Sequence, residues 1–148
     1  MEFINLTPEN LANEHLCCII RSKKPHAGVE AKRFGFKAVD ETAGGFELLA
    51  LSFDGSAPSF TPAARAETIE SEVLTAYYSP QCPYTVQALA SVREVCAEKN
   101  VPCDIICVDK LEKAKALPCA FNNFALFYRG KLQTINLPDA SALRRILR

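Results

Sequence analysis

Cys82 is the residue whose type and position best suit covalent chemistry, because it stands where a strand-like run gives way to the start of a helix. The run ends in Tyr77-Tyr78-Ser79, and Pro83 suits the first position of a helix, where no N–H is needed. A thiolate at a helix N-terminus is stabilised by the helix dipole and by unpaired N–H groups, which favours reactivity. A dithiol motif would need a cysteine three residues on, but position 85 is Thr85. We therefore expect a one-thiol site made by Cys82 and Thr85.

The residues around Cys82 predict alternating strands and helices. Strand formers dominate four runs, at residues 73–79, 101–108, 124–128 and 132–137. A helix is predicted from Pro83 to about Asn100, because four apolar residues follow helical spacing: Ala88, Val92, Val95 and Cys96. Residues 109–117 predict a charged second helix. A third helix begins where Asp139 can cap it.

This order, β-α-β-α-β-β-α over residues 71–148, predicts an α/β, thioredoxin-like domain. Its strand-helix-strand connection implies a parallel pair of strands, and the closing hairpin adds antiparallel ones. The turn that carries Cys82 then lies at the carboxyl edge of the sheet, where α/β folds place their sites.

Two interpretations of Cys82 remain open from the sequence. It is either a half-buried thiol without reactivity, or a thiol that binds or forms a mixed disulfide with a small molecule or a protein thiol. Cys119 is the candidate resolving thiol, because it precedes the third predicted strand in the loop that approaches the reactive cysteine in thioredoxin-like folds. The usual cis-proline before that strand is replaced by Asn122, which argues against dithiol oxidoreductase activity.

The other potential metal or redox residues have simpler interpretations. The chain has seven cysteines, so at least one is unpaired. Adjacent Cys17-Cys18, together with Cys103 and Cys107 in one strand-like run, are typical of small buried side chains. His15 and His26 stand alone, and the sequence contains no Cys-x-x-Cys pair. We therefore expect no metal site.

The composition is that of a globular domain. The 148 residues are 49% hydrophobic with a formal net charge of zero, which gives no reason to expect nucleic acid or an anionic membrane as a partner. The longest apolar runs fall far short of the roughly 20 residues that span a bilayer. The first residues do not have the pattern of a secretory signal. A cytoplasmic location is the default expectation.

Residues 1–53 predict small elements that cover little apolar surface. We expect a short helix starting at Thr7-Pro8, a second from Gly28 cut short at Arg33, and a hairpin of residues 37–40 and 46–53. Pieces of this size are marginal on their own, so the segment looks incomplete. The hairpin edge is a candidate surface for self-association. Residues 54–70, rich in proline and small residues, are interpreted as a linker.

Several segments resemble one family. "INLTPENLANEHLCCII" with "KKPHAGVEAKR" is similar to the opening of GNAT-fold N-acetyltransferases that carry a C-terminal YoaP-like domain, and "FGFKAVDETAGGFELLALSF" resembles the last strands of that catalytic domain. "YYSPQCPYT" with "FALFYRGKLQT" is similar to the appended YoaP-like, thioredoxin-fold domain. The resemblance implies that the central acetyltransferase core is missing between Arg33 and Phe34.

The resemblance also implies acetyl-CoA as the cofactor of intact relatives. The GNAT fold holds the coenzyme A pyrophosphate with a Gly-rich loop of Arg/Gln-x-x-Gly-x-Gly/Ala type. Here no Gly-x-Gly stands between a strand and a helix, and Gly44-Gly45 suits a hairpin turn. We therefore expect an accessory module without a cofactor. The alternatives are an N-acetyltransferase, if the missing core is an artefact of the sequence, and a non-catalytic interaction protein.

Overall fold

A computed structural model describes residues 16–22, 31–121 and 123–148, with only the backbone described for residues 16–22, 31 and 32. The chain divides into two compact units, Met1–Phe60 and Thr61–Arg148. Their boundary falls within residues 54–70, the segment interpreted from the sequence as a linker.

The described part of the first unit is a three-stranded antiparallel sheet. Its strands are β1 (Leu16–Ser22), β2 (Lys37–Glu41) and β3 (Phe46–Ser52), in the order β1-β3-β2. The predicted hairpin of β2 and β3 is confirmed. Its turn is closed by the N–H of Thr42, which donates to the carbonyl of Phe46 at 2.9 Å, and Gly45 adopts a positive φ of 83°.

The sequence analysis did not predict β1. This strand pairs with β3 along its whole length, from Leu16 opposite Ser52 to Ser22 opposite Phe46. The helix predicted at Thr7 lies outside the described residues, as do residues 23–30. Of the second predicted helix, the structure describes one 3-10 turn, Ala31–Phe34.

The second unit is a mixed α/β domain. Its elements are α1 (Pro62–Ala66), β4 (Leu74–Tyr78), α2 (Thr85–Lys99), β5 (Cys103–Cys107), α3 (Leu111–Lys115), β6 (Phe124–Tyr128), β7 (Lys131–Thr134) and α4 (Ala140–Ile146). The strand order is β5-β4-β6-β7, with β4 and β5 parallel and the other pairs antiparallel. From β4 onward, the predicted β-α-β-α-β-β-α order and the parallel pair are confirmed.

Capping explains where the helices of this unit end and begin. Asn100 adopts the left-handed conformation that ends α2, and its N–H donates to the carbonyls of Ala97 and Cys96. The carboxylate of Asp139 accepts from the N–H of Ala142 at 2.7 Å and so caps α4, as predicted.

The two central strands of the second unit's sheet, β4 and β6, are covered on both faces. One face carries Leu74, Ala76, Phe124 and Leu126 and packs against α2 and α4 through a cluster that includes Leu89, Val92, Val95, Cys96, Leu143 and Leu147. On the opposite face Ala125 and Phe127 pack with Cys119, Ile69 and Tyr77. β6 therefore contributes side chains to both layers, and its first four residues are all buried.

Residues 61–72, which begin the second unit, are hydrogen-bonded to later parts of the same unit. The Thr61 hydroxyl caps α1 by accepting from the N–H of Ala64 at 3.2 Å. Beyond this helix, the N–H of Ile69 donates to the carbonyl of Gly130 at 2.9 Å, and the N–H of Leu132 donates to the carbonyl of Glu67 at 3.0 Å. The second half of the predicted linker thus lies against β7.

Candidate functional site

Cys82 lies in the turn between β4 and α2, residues 79–84, at the carboxyl end of the parallel strand pair. Its thiol is free and half-buried. The start of the turn is fixed by the N–H of Ser79, which donates to the carbonyl of Asn123 at 2.8 Å. The sequence-based placement of Cys82 at a strand-to-helix turn is therefore confirmed, whereas its chemical role stays a prediction.

The predicted helix start at Pro83 is wrong by two residues. The helix begins at Thr85, and Pro83 and Tyr84 belong to a separate turn. That turn is closed by the N–H of Thr85, which donates to the carbonyl of Cys82 at 3.1 Å. Cys82 therefore stands three residues before the helix and not in its first turn.

Thr85 holds this turn in place with its side chain. The residue is only 2% exposed. Its hydroxyl donates to the carbonyl of Cys82 and lies 3.5 Å from the carbonyl of Ser79. The buried hydroxyl thus adds a second hydrogen bond to the Cys82 carbonyl, which already accepts from the N–H of Thr85. Thr85 is therefore a positioning residue for the backbone of Cys82.

Cys119, the candidate resolving thiol, is buried in the opposite layer of the sheet. It is 3% exposed and packs with Ala125 and Phe127, on the face away from α2. Burial, and then the negative charge of Glu67, raise the pKa of the Cys119 thiol to about 12. A thiol is nucleophilic only as its thiolate, so this environment disfavours attack by Cys119. No disulfide joins it to Cys82, since both thiols are free. Asn122, which the sequence analysis aligned with the usual cis-proline, lies outside the described residues.

A groove of about 450 Å³ opens beside the turn, at the same edge of the sheet. Residues 79–81 line one part of it and residues 108–111 another, with Ala114 and Phe121 completing the wall. Leu111 is 63% exposed there, and Asp109 pairs with Lys113 at 2.7 Å. The hydrogen bond from Lys113 lowers the pKa of Asp109. The groove thus combines an apolar surface with an ionised carboxylate.

The sequence analysis did not identify residues 108–111 as part of the site. The signal was present, because these residues follow β5 just as residues 79–82 follow β4, and parallel strands bring both ends to one edge. Among the described residues, no group of three or more histidine, cysteine, aspartate or glutamate side chains is arranged to hold a metal ion. No helix in the described ranges is long and apolar enough to cross a membrane.

Comparisons with known proteins point to one group of relatives. Residues 102–145 match a family model described as YoaP-like. Over 118 residues the chain is 29% identical to a protein of Bacillus subtilis (strain 168) named "Uncharacterized N-acetyltransferase YoaP". That match covers 78% of this chain and 47% of the relative, so the chain spans about half the length of the protein it resembles. No solved structure matches the chain. The two matches support a relationship to an N-acetyltransferase family.

Proposed function

We propose that the second unit is a thioredoxin-like accessory module of an N-acetyltransferase relative, and that Cys82 is its one-thiol site. The observation that carries the proposal is the strand arrangement β5-β4-β6-β7 with one parallel pair, which places the Cys82 turn at the carboxyl end of β4. The parallel pair and the closing antiparallel hairpin support this proposal, because the sequence analysis expected both of a thioredoxin-like domain. The groove of residues 79–81 and 108–111 supplies an adjoining surface for a ligand.

The proposed chemistry is formation of a mixed disulfide. The Cys82 thiolate attacks one sulfur of a small disulfide RSSR, which forms the bond Cys82–S–S–R and releases RS⁻. A cysteine at position 85 would resolve this adduct, but the residue there is Thr85, whose hydroxyl binds the Cys82 carbonyl. The adduct is therefore expected to persist, so that the module captures a thiol compound without completing a dithiol cycle.

Glutathione disulfide is a direct probe of this proposal. Trypsin releases Cys82 as the single cysteine of residues 66–93, whereas the half-buried Cys103 and Cys107 share residues 100–110. We expect glutathione to appear first on residues 66–93 in the wild type and not at all on that peptide in Cys82→Ser. Equal or faster labelling of residues 100–110 would contradict a special reactivity at Cys82.

Thr85→Cys tests whether the turn holds positions 82 and 85 as a redox-motif geometry requires. In this variant the new thiol should attack the Cys82 adduct, release glutathione and leave an intramolecular disulfide. Thr85→Ser is the matched control, because it keeps a hydroxyl and should keep the adduct. An adduct equally long-lived in both variants argues against a thioredoxin-like site.

N-acetyltransferase activity is the second candidate function, favoured by the name of the 29% identical protein of Bacillus subtilis. It requires a coenzyme A site, for which the sequence offers no Gly-rich loop. Isothermal titration with acetyl-CoA separates the two candidates. We expect no heat of binding, and saturable binding would favour the acetyltransferase.

The third candidate is a non-catalytic interaction protein. β2 lies at one side of the sheet of the first unit, and its Val39 side chain is 37% exposed. An edge strand of this kind can pair with another chain. Light scattering over a range of protein concentrations tests it, and a monomer at all concentrations counts against self-association.

A further inference from the structure

Two further cysteines meet on the face of the sheet that packs against α2. Cys96 lies in the last turn of α2, and Cys103 is the first residue of β5. The connection between them is short and fixed. Asn100 ends the helix in a left-handed conformation, the N–H of Val101 donates to the carbonyl of Cys96 at 2.9 Å, and Cys103 pairs with Leu74 of β4.

The side chains of Cys96 and Cys103 are neighbours. Cys103 packs against the buried cluster that contains Cys96, and both side chains line one cleft. Cys96 is 3% exposed, whereas Cys103 is half-buried. The pair thus consists of one sheltered sulfur and one accessible sulfur.

The pair is open to solvent through a cleft of about 450 Å³. Both cysteines line this cleft, together with Arg93, Ala97 and residues 100–102. Arg93 places a positive charge at the opening, which attracts anionic thiol compounds. A small disulfide can therefore reach Cys103 without unfolding of the domain.

We propose that Cys96 and Cys103 are a reversible redox-modification site, which small disulfides oxidise to an intramolecular disulfide. In the first step the Cys103 thiolate attacks RSSR, forms a mixed disulfide and releases RS⁻. In the second step the Cys96 thiolate attacks the sulfur of Cys103 and releases a second RS⁻. The two protein thiols lose two electrons, and RSSR is reduced to two RSH after protonation.

The environment of the pair sets the order of these steps. Burial, and then the neighbouring Cys103, raise the pKa of the Cys96 thiol to about 12, so Cys96 is the poor first nucleophile. It is assigned the second step because it lies beside Cys103, and because the mixed disulfide removes the Cys103 thiol that contributes to this shift. Cys107 lies on the same strand, but it is paired with Tyr78 of β4 and does not line this cleft. It provides a matched control for Cys103.

The experiment uses the full chain with Cys82→Ser, so that its outcome does not depend on the proposed Cys82 site. The protein is oxidised with glutathione disulfide, the remaining thiols are blocked by alkylation, and tryptic peptides are analysed without reduction. Cys96 is the single cysteine of residues 94–99, and Cys103 and Cys107 both lie in residues 100–110. We expect a disulfide-linked pair of these two peptides.

The variants assign the linkage to one cysteine. Cys107→Ser should keep the linked pair, and Cys103→Ser should abolish it. The decisive measurement needs no substitution at either cysteine of the pair: a folded chain, verified by circular dichroism, that forms no link between residues 94–99 and 100–110 would overturn the proposal. A link that persists in Cys103→Ser but is lost in Cys107→Ser would overturn it equally.

Discussion

Thr85→Val removes one hydroxyl from the Cys82 turn and changes little else. The threonine is 2% exposed, and valine has nearly the same shape, so the substitution leaves no cavity. The hydroxyl bond to the Cys82 carbonyl and the weaker approach to the Ser79 carbonyl at 3.5 Å are lost. The Cys82 carbonyl still accepts from the N–H of Thr85, which limits the penalty.

The expected loss of stability is that of one buried hydrogen bond, about 1 kcal/mol. For a domain of the size of Thr61–Arg148, this corresponds to a fall in Tm of about 4–8 °C. Urea unfolding followed by circular dichroism measures the free energy directly. Because the turn loses a fixed point next to Cys82, the alkylation rate of Cys82 should also increase.

Thr75→Val is the matched control for this substitution. Thr75 is also 2% exposed, and its hydroxyl donates to the carbonyl of Val73 at 3.3 Å, away from the turn. The control should lose a similar free energy of unfolding without a change in Cys82 alkylation. Our reasoning is refuted if Thr85→Val unfolds at the wild-type urea concentration, or if both variants change alkylation equally.

Three further predictions concern single residues of the second unit. Gly130→Ala should cost about 1 kcal/mol or more, because Gly130 has a φ of 73° and a new Cβ would lie 3.0 Å from the Ile69 carbonyl oxygen. Gly55→Ala has a similar φ without a close neighbour, and an equal urea midpoint shift in both variants would exclude a role for that contact. Arg144→Met removes ion pairs to Glu98 at 2.7 Å and Glu94 at 3.6 Å. The hydrogen bond from Arg144 lowers the pKa of Glu98 in the folded state below its ordinary value of 4.5. The small stabilisation should therefore be present above pH 4.5 and vanish as the pH falls through the pKa of the folded state. Added salt should also weaken it. Unfolding midpoints against pH and salt measure it, and a difference that persists in acid contradicts the assignment. Cys119→Ala should flatten the loss of stability above pH 9, because burial raises the pKa of this thiol from 9.0 to about 12 and the folded state therefore resists its ionisation. An unchanged slope of unfolding free energy against pH would argue that Cys119 ionises freely in the folded domain.

Local patterns predicted the elements of the second unit from β4 onward. The apolar residues Ala88, Val92, Val95 and Cys96 follow helical spacing within one segment, so they predict a helix without any knowledge of the residues that it packs against. Asn100 and Asp139 cap helices through bonds to residues close to them in the sequence. The structure confirms the predicted end of α2 at Asn100 and the predicted start of α4 at Asp139. The start of α2 was misplaced because the N–H and the hydroxyl of Thr85 both donate to the Cys82 carbonyl and close a separate turn, which residue spacing does not predict.

Elements that depend on distant partners were missed. β1 is defined by its pairing with β3, about thirty residues away along the chain, and nothing next to Leu16–Ser22 indicates that partner. α1 has five residues, too few for a helical repeat, although Thr61 followed by Pro62 is a typical helix start.

The candidate site divides in the same way. Topology alone predicted that Cys82 lies at the carboxyl edge of the sheet, and that part is confirmed. The tertiary fold determines the face on which a loop cysteine packs, so the burial of Cys119 against Phe127 could not be predicted from the sequence. Cys96 and Cys103 each fitted a core pattern, which concealed the fact that the end of a helix brings them together.

The hydrogen bonds of residues 67–72 determine where an excised fragment can begin. Thr68 forms an antiparallel bridge with Lys131. The main-chain N–H and carbonyl groups of residues 67–72 form hydrogen bonds with those of residues 129–132. A recombinant fragment starting at residue 71 would lack residues 67–70, and the main-chain groups of β7 that bond to them would lose their partners. Unpaired main-chain groups at a sheet edge can pair with neighbouring molecules, which is a known route to aggregation. A fragment that begins at Thr61 retains these hydrogen bonds and should aggregate less during spectroscopy and crystallisation.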